Sequence, residues 1–252
     1  MIVQNCTFTV HFPRNDSIRE SIFNLEKHLK GFQKPFTLVP LPADAPLDIP
    51  RIITVSDNGH SQLIFQGNSA QIITNFDDKY NRDIERCLEY MKERCSMLID
   101  ALMIIGAECE GRPKFYFSGI SISLLFDDED GIENPIEYIS DHFLQLKSGM
   151  TKDEAEFRVA LIAENSFYIN IMMQSLHMFS KGPDERGSLA GVDVQKNVLQ
   201  VVLDINDRYA FNTVPGYLSS EEIAQNVINL AEKLSKASIL KLIQDGEIVY
   251  AE

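Results

Sequence analysis

The side chains that could do chemistry are, first, acids. Asp127, Asp128, Glu129 and Asp130 run together ahead of Gly131, and Asp204 and Asp207 close a later apolar, β-branched stretch. Clustered carboxylates are hard oxygen ligands, so Asp127, Asp128, Asp130, Asp204 and Asp207 are the candidates for a divalent cation and for metal-assisted hydrolysis. An EF-hand loop with Gly131 as its sixth residue would put Asp128, Asp130 and Glu137 at ligand positions. Its first position would then be Phe126, which has no oxygen ligand, and Pro135 would fall inside the loop. The run therefore reads as a solvated acidic loop before it reads as a looser cation site. Asp204 and Asp207 read as turn or solvent-facing residues at a strand end.

Other chemistries find less support. The histidines, His11, His28, His60, His142 and His177, show no i, i+3 or i, i+4 spacing, and no CxxC accompanies them, so there is no zinc signature. His60, beside the Asn58-Gly59 pair, reads as a surface residue. Cys6, Cys87, Cys95 and Cys109 read as reduced thiols, with Cys87 and Cys95 on the apolar side of a helix. Gly182, Gly187 and Gly191 match no phosphate-binding pattern, and Ser118-Gly119 and Ser188 form no nucleophile elbow. No catalytic constellation emerges and no cofactor is implied.

The elements that must position these residues follow from periodicity. Asn5–Phe12 alternates as a strand, and Asp16 is placed to cap a helix carrying Ile18, Ile22, Leu25, Leu29 and Phe32, which Gly31 and Pro35 end. Pro40, Pro42, Pro46 and Pro50 mark an extended connector. Arg51–Val55 and Gln62–Gln66 flank Asn58-Gly59, a hairpin signal, and a further short run at Ala70–Thr74 leads into the longest helix. That helix is expected from about Asp77 to Ile105. Its stripe runs through Ile84, Cys87, Leu88, Met91, Cys95, Leu98, Ile99 and Leu102.

Lys114–Phe126 reads as one buried strand, and Asn134-Pro135 opens a short helix. Thr151 with Glu154 has capping-box spacing, and the segment after it is ambiguous between helix and strand. Ser166–Phe179 and Val194–Asn206 read as strands around a mobile loop, Ser180–Asp193. Ser219 with Glu222 caps a last helix striped by Ile223, Val227, Leu230, Leu234, Leu240 and Ile243. The expected fold is α+β: an antiparallel or mixed sheet with long amphipathic helices packed on one face. The chain is expected to be a single compact unit, 1–252, with candidate similar halves at 1–148 and 149–252.

With 23 Lys+Arg against 37 Asp+Glu in 252 residues, the net charge is −14, which argues against a phosphate backbone as partner. No apolar run reaches the roughly 18 residues of a membrane span, and no signal peptide is visible, so a cytoplasmic location and no membrane partner are expected. In this order of segments the chain resembles an uncharacterised, sporadically distributed bacterial family of about its length. The resemblance covers nearly the whole chain, through the paired strands before the long helix, the Phe115–Phe126 strand and the late strand Val201–Asn206. The chain departs from the family at Asn206, where an acid is usual, and at Phe117-Ser118-Gly119-Ile120, where the family shows an Arg-Tyr-x-Asn pattern.

The resemblance implies a bacterial source and this architecture, and it brings no catalytic residues. The leading expectation is a non-enzymatic interaction or accessory protein of a bacterial operon, related to immunity or defence, with a protein partner that an acidic surface would favour as basic. Self-association is compatible with it. The alternatives are a metal-dependent hydrolase or nuclease using Asp127, Asp128, Asp130, Asp204 and Asp207, and a small-molecule sensor. The sensor's pocket would lie between sheet and helices, lined by Met91, Met97, Met103, Met172, Met173 and Met178.

Overall fold

A computed structural model describes residues 1–42, 45–109, 112–145, 150–182, 185–186, 188 and 192–246. The chain opens with β1 (Ile2–His11), a 3-10 turn at Ile18–Ser21 and α1 (Ile22–His28). Strands β2 (Thr37–Leu38), β3 (Pro50–Val55), β4 (Ser61–Gln66) and β5 (Ser69–Asn75) lead to α2 (Ile84–Ile104). The short pair β6 (Glu108–Cys109) and β7 (Arg112–Phe115) precedes β8 (Phe117–Phe126) and α3 (Pro135–Ile139). Then come β9 (Glu156–Ala163), β10 (Phe167–Phe179), β11 (Val194–Asn206), α4 (Arg208–Thr213) and β12 (Ser219–Ser220). A π-helical segment, Leu234–Ser238, joins α5 (Glu221–Lys233) to α6 (Ile239–Asp245).

The architecture is α+β. Nine strands form one sheet in the order β2-β3-β4-β5-β1-β8-β11-β10-β9, antiparallel at every junction. A small three-stranded sheet, β12-β7-β6, stands beside it. Side-chain alternation divides the large sheet into two faces. In β1, Cys6, Phe8 and Val10 are buried while Thr7, Thr9 and His11 between them are partly exposed. In β11, Leu199, Val201, Leu203 and Ile205 are buried, whereas Gln200, Val202, Asp204 and Asn206 are partly exposed. Helix α2 packs against β1 and β5, α5 against β8 and β11, and α3 against β10. Burying one Leu, Ile or Phe side chain in such a layer contributes about 1.5–3 kcal/mol, so the helix stripes and the inward strand residues together define the core.

Local departures from the expected elements each have a cause. Helix α2 starts at Ile84, because Asp83 takes the cap by accepting from the Arg86 N–H at 3.1 Å, while Tyr80 and Asn81 turn back onto the Asp77 carbonyl. Asp16 caps nothing: its carboxylate is 2.9 Å from Arg14, and the segment begins as a 3-10 turn. Thr151 starts no helix, since the backbone of 156–163 is used in pairing with β10. The cap of α5 is Ser220, which accepts from Ile223 N–H at 3.4 Å; Ser219 is engaged by Phe115 in the small sheet. The single strand expected over Lys114–Phe126 is split at Tyr116, with β7 joining the small sheet and β8 the large one.

Candidate functional site

The acids singled out by sequence fall into separate places. Asp127 caps a 3-10 turn over Asp128–Asp130, accepting from the Glu129 N–H at 3.0 Å, and Asp130 accepts in return from the Asp127 N–H at 3.2 Å. Cations of the protein itself answer this loop. Lys196 of β11 is 2.8 Å from Asp127 and 2.7 Å from Asp128, Arg82 is 2.9 Å from Glu129, and the amino terminus of Met1 pairs with Asp130. Burial pushes the Asp127 carboxyl up, but the hydrogen bond and charge of Lys196 outweigh it, so the group lies below its usual range. The Lys196 hydrogen bond likewise lowers Asp128, and Asp127 and Asp128 together raise Lys196.

Asp204 and Asp207 lie toward the far end of the same ladder. Leu199 pairs with Phe126 beside the acidic loop, while Asp204 pairs with Ser121, five residues or about 17 Å along the strand. Asp207 is fully buried and not solvent-facing: it accepts from the Ser118 N–H at 2.6 Å and from the Tyr217 hydroxyl at 2.7 Å. Asp127, Asp128 and Asp130 are thus brought together, and Asp204 and Asp207 are kept apart from them. Among the described residues, no group of three or more His, Cys, Asp or Glu side chains is placed to hold a metal.

Asp204 instead belongs to the partly exposed face of the sheet. Ladder register aligns Thr7, Ser121, Asp204 and Asn170 in one row across β1, β8, β11 and β10, and Thr9, Gly119, Asn206 and Tyr168 in the next. Thr7, Thr9, Gly119, Ser121, Asp204 and Asn206 floor a depression of about 260 Å³, closed at one end by His11, Phe117 and Arg208. Asp204 accepts from the amides of Asn170 at 2.8 Å and Asn206 at 3.1 Å. Burial nevertheless pushes its carboxyl above the ordinary value.

Gly119 keeps the floor open: a Cβ there would meet the Cβ of Asn206 at 2.9 Å. His11 stacks on Phe117 at 4.4 Å between centroids, and burial, then the charge of Arg208, lower its imidazole pKa. Further along the face, Gln174 donates to Gln200, which donates to Gln4 at 3.0 Å and to Ser123 at 2.9 Å. The surface is therefore a field of amides and hydroxyls suited to hydrogen bonding. Among the described residues, no hydrogen bond joins His11 to the hydroxyls of Thr7, Thr9 or Ser121.

Sequence reasoning missed His11, Phe117, Asn170 and Arg208. The polar members of the strand alternation, Thr7, Thr9, Ser121 and Gln200, were the available signal. The thiols of Cys6, Cys87 and Cys95 are buried, which raises each of them, Cys87 to about 11; the Cys109 side chain lies outside the described residues. An apolar pocket of about 330 Å³ does lie between sheet and helix, lined by Leu161, Ile169, Ile171, Leu203, Leu234 and Ile239. None of the six methionines expected around such a pocket lines it. In the loop Ser180–Asp193, both Gly187 and Gly191 lie outside the described residues. Among the described residues, no helix is long and apolar enough to cross a membrane. No protein-family model matches the chain, and no curated protein matches its sequence.

Proposed function

We propose that this is a non-enzymatic binding protein whose contact surface is the polar face of the large sheet, and that its partner is another protein. The observation that carries the reading is the row of half-exposed amides and hydroxyls around Asp204 on the sheet's central strands. The alternation of burial supports a one-sided helix layer, which leaves this face for a partner. The charge of −14 favours a basic partner and disfavours nucleic acid. A cytoplasmic accessory role in a bacterial operon, of the immunity or defence kind, fits this reading, and self-association is one form the contact could take.

The same reading extends to the chain's organisation. Strand β1 is followed by α1, then the two-residue β2, β3, β4, β5 and α2; β8 is followed by α3, then β9, β10, β11, and, after α4 and the two-residue β12, α5. In each series the first strand lies beside the last one of the large sheet, and β1 and β8 meet at the centre. This supports a duplicated unit whose boundary falls just before β8, earlier than the one between 148 and 149.

The test is affinity purification of the tagged chain from its native host, comparing Ser121→Arg on the polar face with Glu89→Arg on the exposed side of α2. A stoichiometric partner, or a defined homodimer, that survives Glu89→Arg and is lost with Ser121→Arg is expected. A partner lost equally from both variants, or none at all, would overturn the assignment. The apolar pocket under the π-helical segment favours the sensor as second reading, which a ligand-induced rise in Tm, abolished by Ile171→Trp, would support.

A further inference from the structure

We propose that the corner formed by His60, Phe76, Tyr80 and Tyr90 is a binding site for a methylated ammonium group, held in reserve by the protein's own Arg86. The site shares no lining residue with the depression around Asp204 and does not depend on the reading given to the polar face. The β3–β4 turn carries His60 over the start of α2, where three ring pairs meet edge to face. His60 lies 6.0 Å from Tyr80 at 88° and 6.4 Å from Tyr90 at 87°, and Phe76 lies 6.4 Å from Tyr90 at 76°. Near-perpendicular rings surround a cavity of about 180 Å³ that Asn58, Arg86 and Cys87 complete. That is below the roughly 300–1,000 Å³ of drug-sized pockets and suits one compact head group.

The chemistry of the walls selects a cation. Ring faces carry the negative end of the aromatic quadrupole, and a quaternary ammonium gains from several such faces at once while losing little hydration. Two cations already lie on these rings. Arg94, itself buried, sits 4.8 Å from the Tyr90 centroid and 5.3 Å from that of Phe32, as part of the packing. Arg86 is different: it is exposed, lies 4.1 Å from the Tyr80 centroid, and makes no ion pair among the described residues. Its guanidinium rests on the ring alone, in the position an incoming cation would take.

The setting is otherwise acidic. The Asp77 carboxylate is 3.9 Å from His60, Asp83 caps the helix beneath, and the chain carries a charge of −14. Tyr90 is held in place by hydrogen bonds with Ser61 and Asn58, each 3.2 Å, so one wall is formed in advance of any ligand. The head group could belong to a free choline-like amine or to a methylated lysine side chain. Both present the same chemistry to the rings.

The experiment titrates the whole protein with tetramethylammonium chloride against sodium chloride at equal ionic strength. It is followed by tyrosine fluorescence, which is unmasked because the chain has 8 Tyr and no Trp. Saturable binding is expected for tetramethylammonium only. Tyr80→Leu should weaken it by about tenfold or more, and Arg86→Gln, which removes the resident cation, should tighten it about three- to tenfold. Circular dichroism confirms that both variants fold, and Tyr90→Phe, which keeps the ring, should still bind. Choline and a short trimethyllysine peptide, titrated in parallel, separate the two sources by which binds more tightly. Absence of saturable binding, binding indifferent to Tyr80→Leu, or weaker binding in Arg86→Gln would each overturn the proposal.

Discussion

Asp207 shows how much a single buried acceptor can organise. It satisfies the Ser118 N–H at the start of β8 and the Tyr217 hydroxyl in the loop before β12, tying the large sheet to the small one. Removing the carboxyl leaves the buried Ser118 N–H and the half-buried Tyr217 hydroxyl without this partner, so Asp207→Ala should cost about 2–5 kcal/mol and Tyr217→Phe about 1–3 kcal/mol in urea denaturation. Tyr217 also sets an alkaline limit. Burial and then Asp207 raise its pKa above the ordinary tyrosine value, so its stabilisation is intact below that value and is lost as pH climbs through the raised one. Tyr217→Phe should therefore flatten the alkaline fall in Tm. Asp204 follows the same sign in the acid range. Its raised carboxyl favours folding at low pH and ceases to do so as pH rises through the folded-state value, so Asp204→Asn should gain Tm relative to the natural chain towards neutrality and not in acid. The buried thiols Cys87 and Cys95 were legible beforehand from the stripe of α2, but the buried tie at Asp207 was not. In the string Asp204-Ile205-Asn206-Asp207 the two acids look alike, and only Ser118 and Tyr217, far off in sequence, make one of them a buried tie.

At the scale of elements, burial patterns were readable and end chemistry only in part: Asn134 caps α3 with Pro135 in its first turn, as the sequence implies. Period-two runs marked β1, β8 and β11, and the stripe through Cys87, Met91, Cys95 and Leu98 marked α2, because each such pattern reflects one face turned to a core. Caps were misread where two polar residues competed: Asp16 was drawn to Arg14, and Ser220 displaced Ser219. Glu156–Ala163 stayed ambiguous because its strand character comes from pairing with β10, a contact that lies outside the segment itself. Gly119 connects element to site. Its partner across the ladder is Asn206, and no Cβ fits between them, so Gly119→Val should cost about 1–3 kcal/mol and close the depression. Chemical denaturation measures the first effect, and loss of partner capture the second. The acidic loop supplies a contrasting test. Lys196 holds Asp127 and Asp128 below their usual pKa, a contribution present above the ordinary carboxylate range and lost as pH falls through the lowered values. Lys196→Met should lower Tm at neutral pH and leave it unchanged in strong acid.

For the whole molecule the decisive contact is the junction of β1 and β8, paired from Ile2 with Leu125 to His11 with Phe117. It lies in the middle of the sheet, with β5 on one side and β11 on the other, and α2 and α5 touch. If each series of strands and helices is a copy of one ancestral unit, this junction is the seam between them. A chain cut after residue 110 would separate α2 and everything before it from β8 and everything after it. Each piece would then present an unpaired edge of β1 or β8, still joined on its other side to β5 or β11, and an exposed edge with buried residues such as Phe8 or Ile122 beside it drives association. Expressed alone, 1–110 and 111–252 should self-associate or aggregate. Expressed together, they should re-form the seam and elute as a 1:1 complex, measured by size exclusion with light scattering. Two stable monomers that ignore each other would mean that the seam is a contact between independent domains and that the polar face is not one continuous surface.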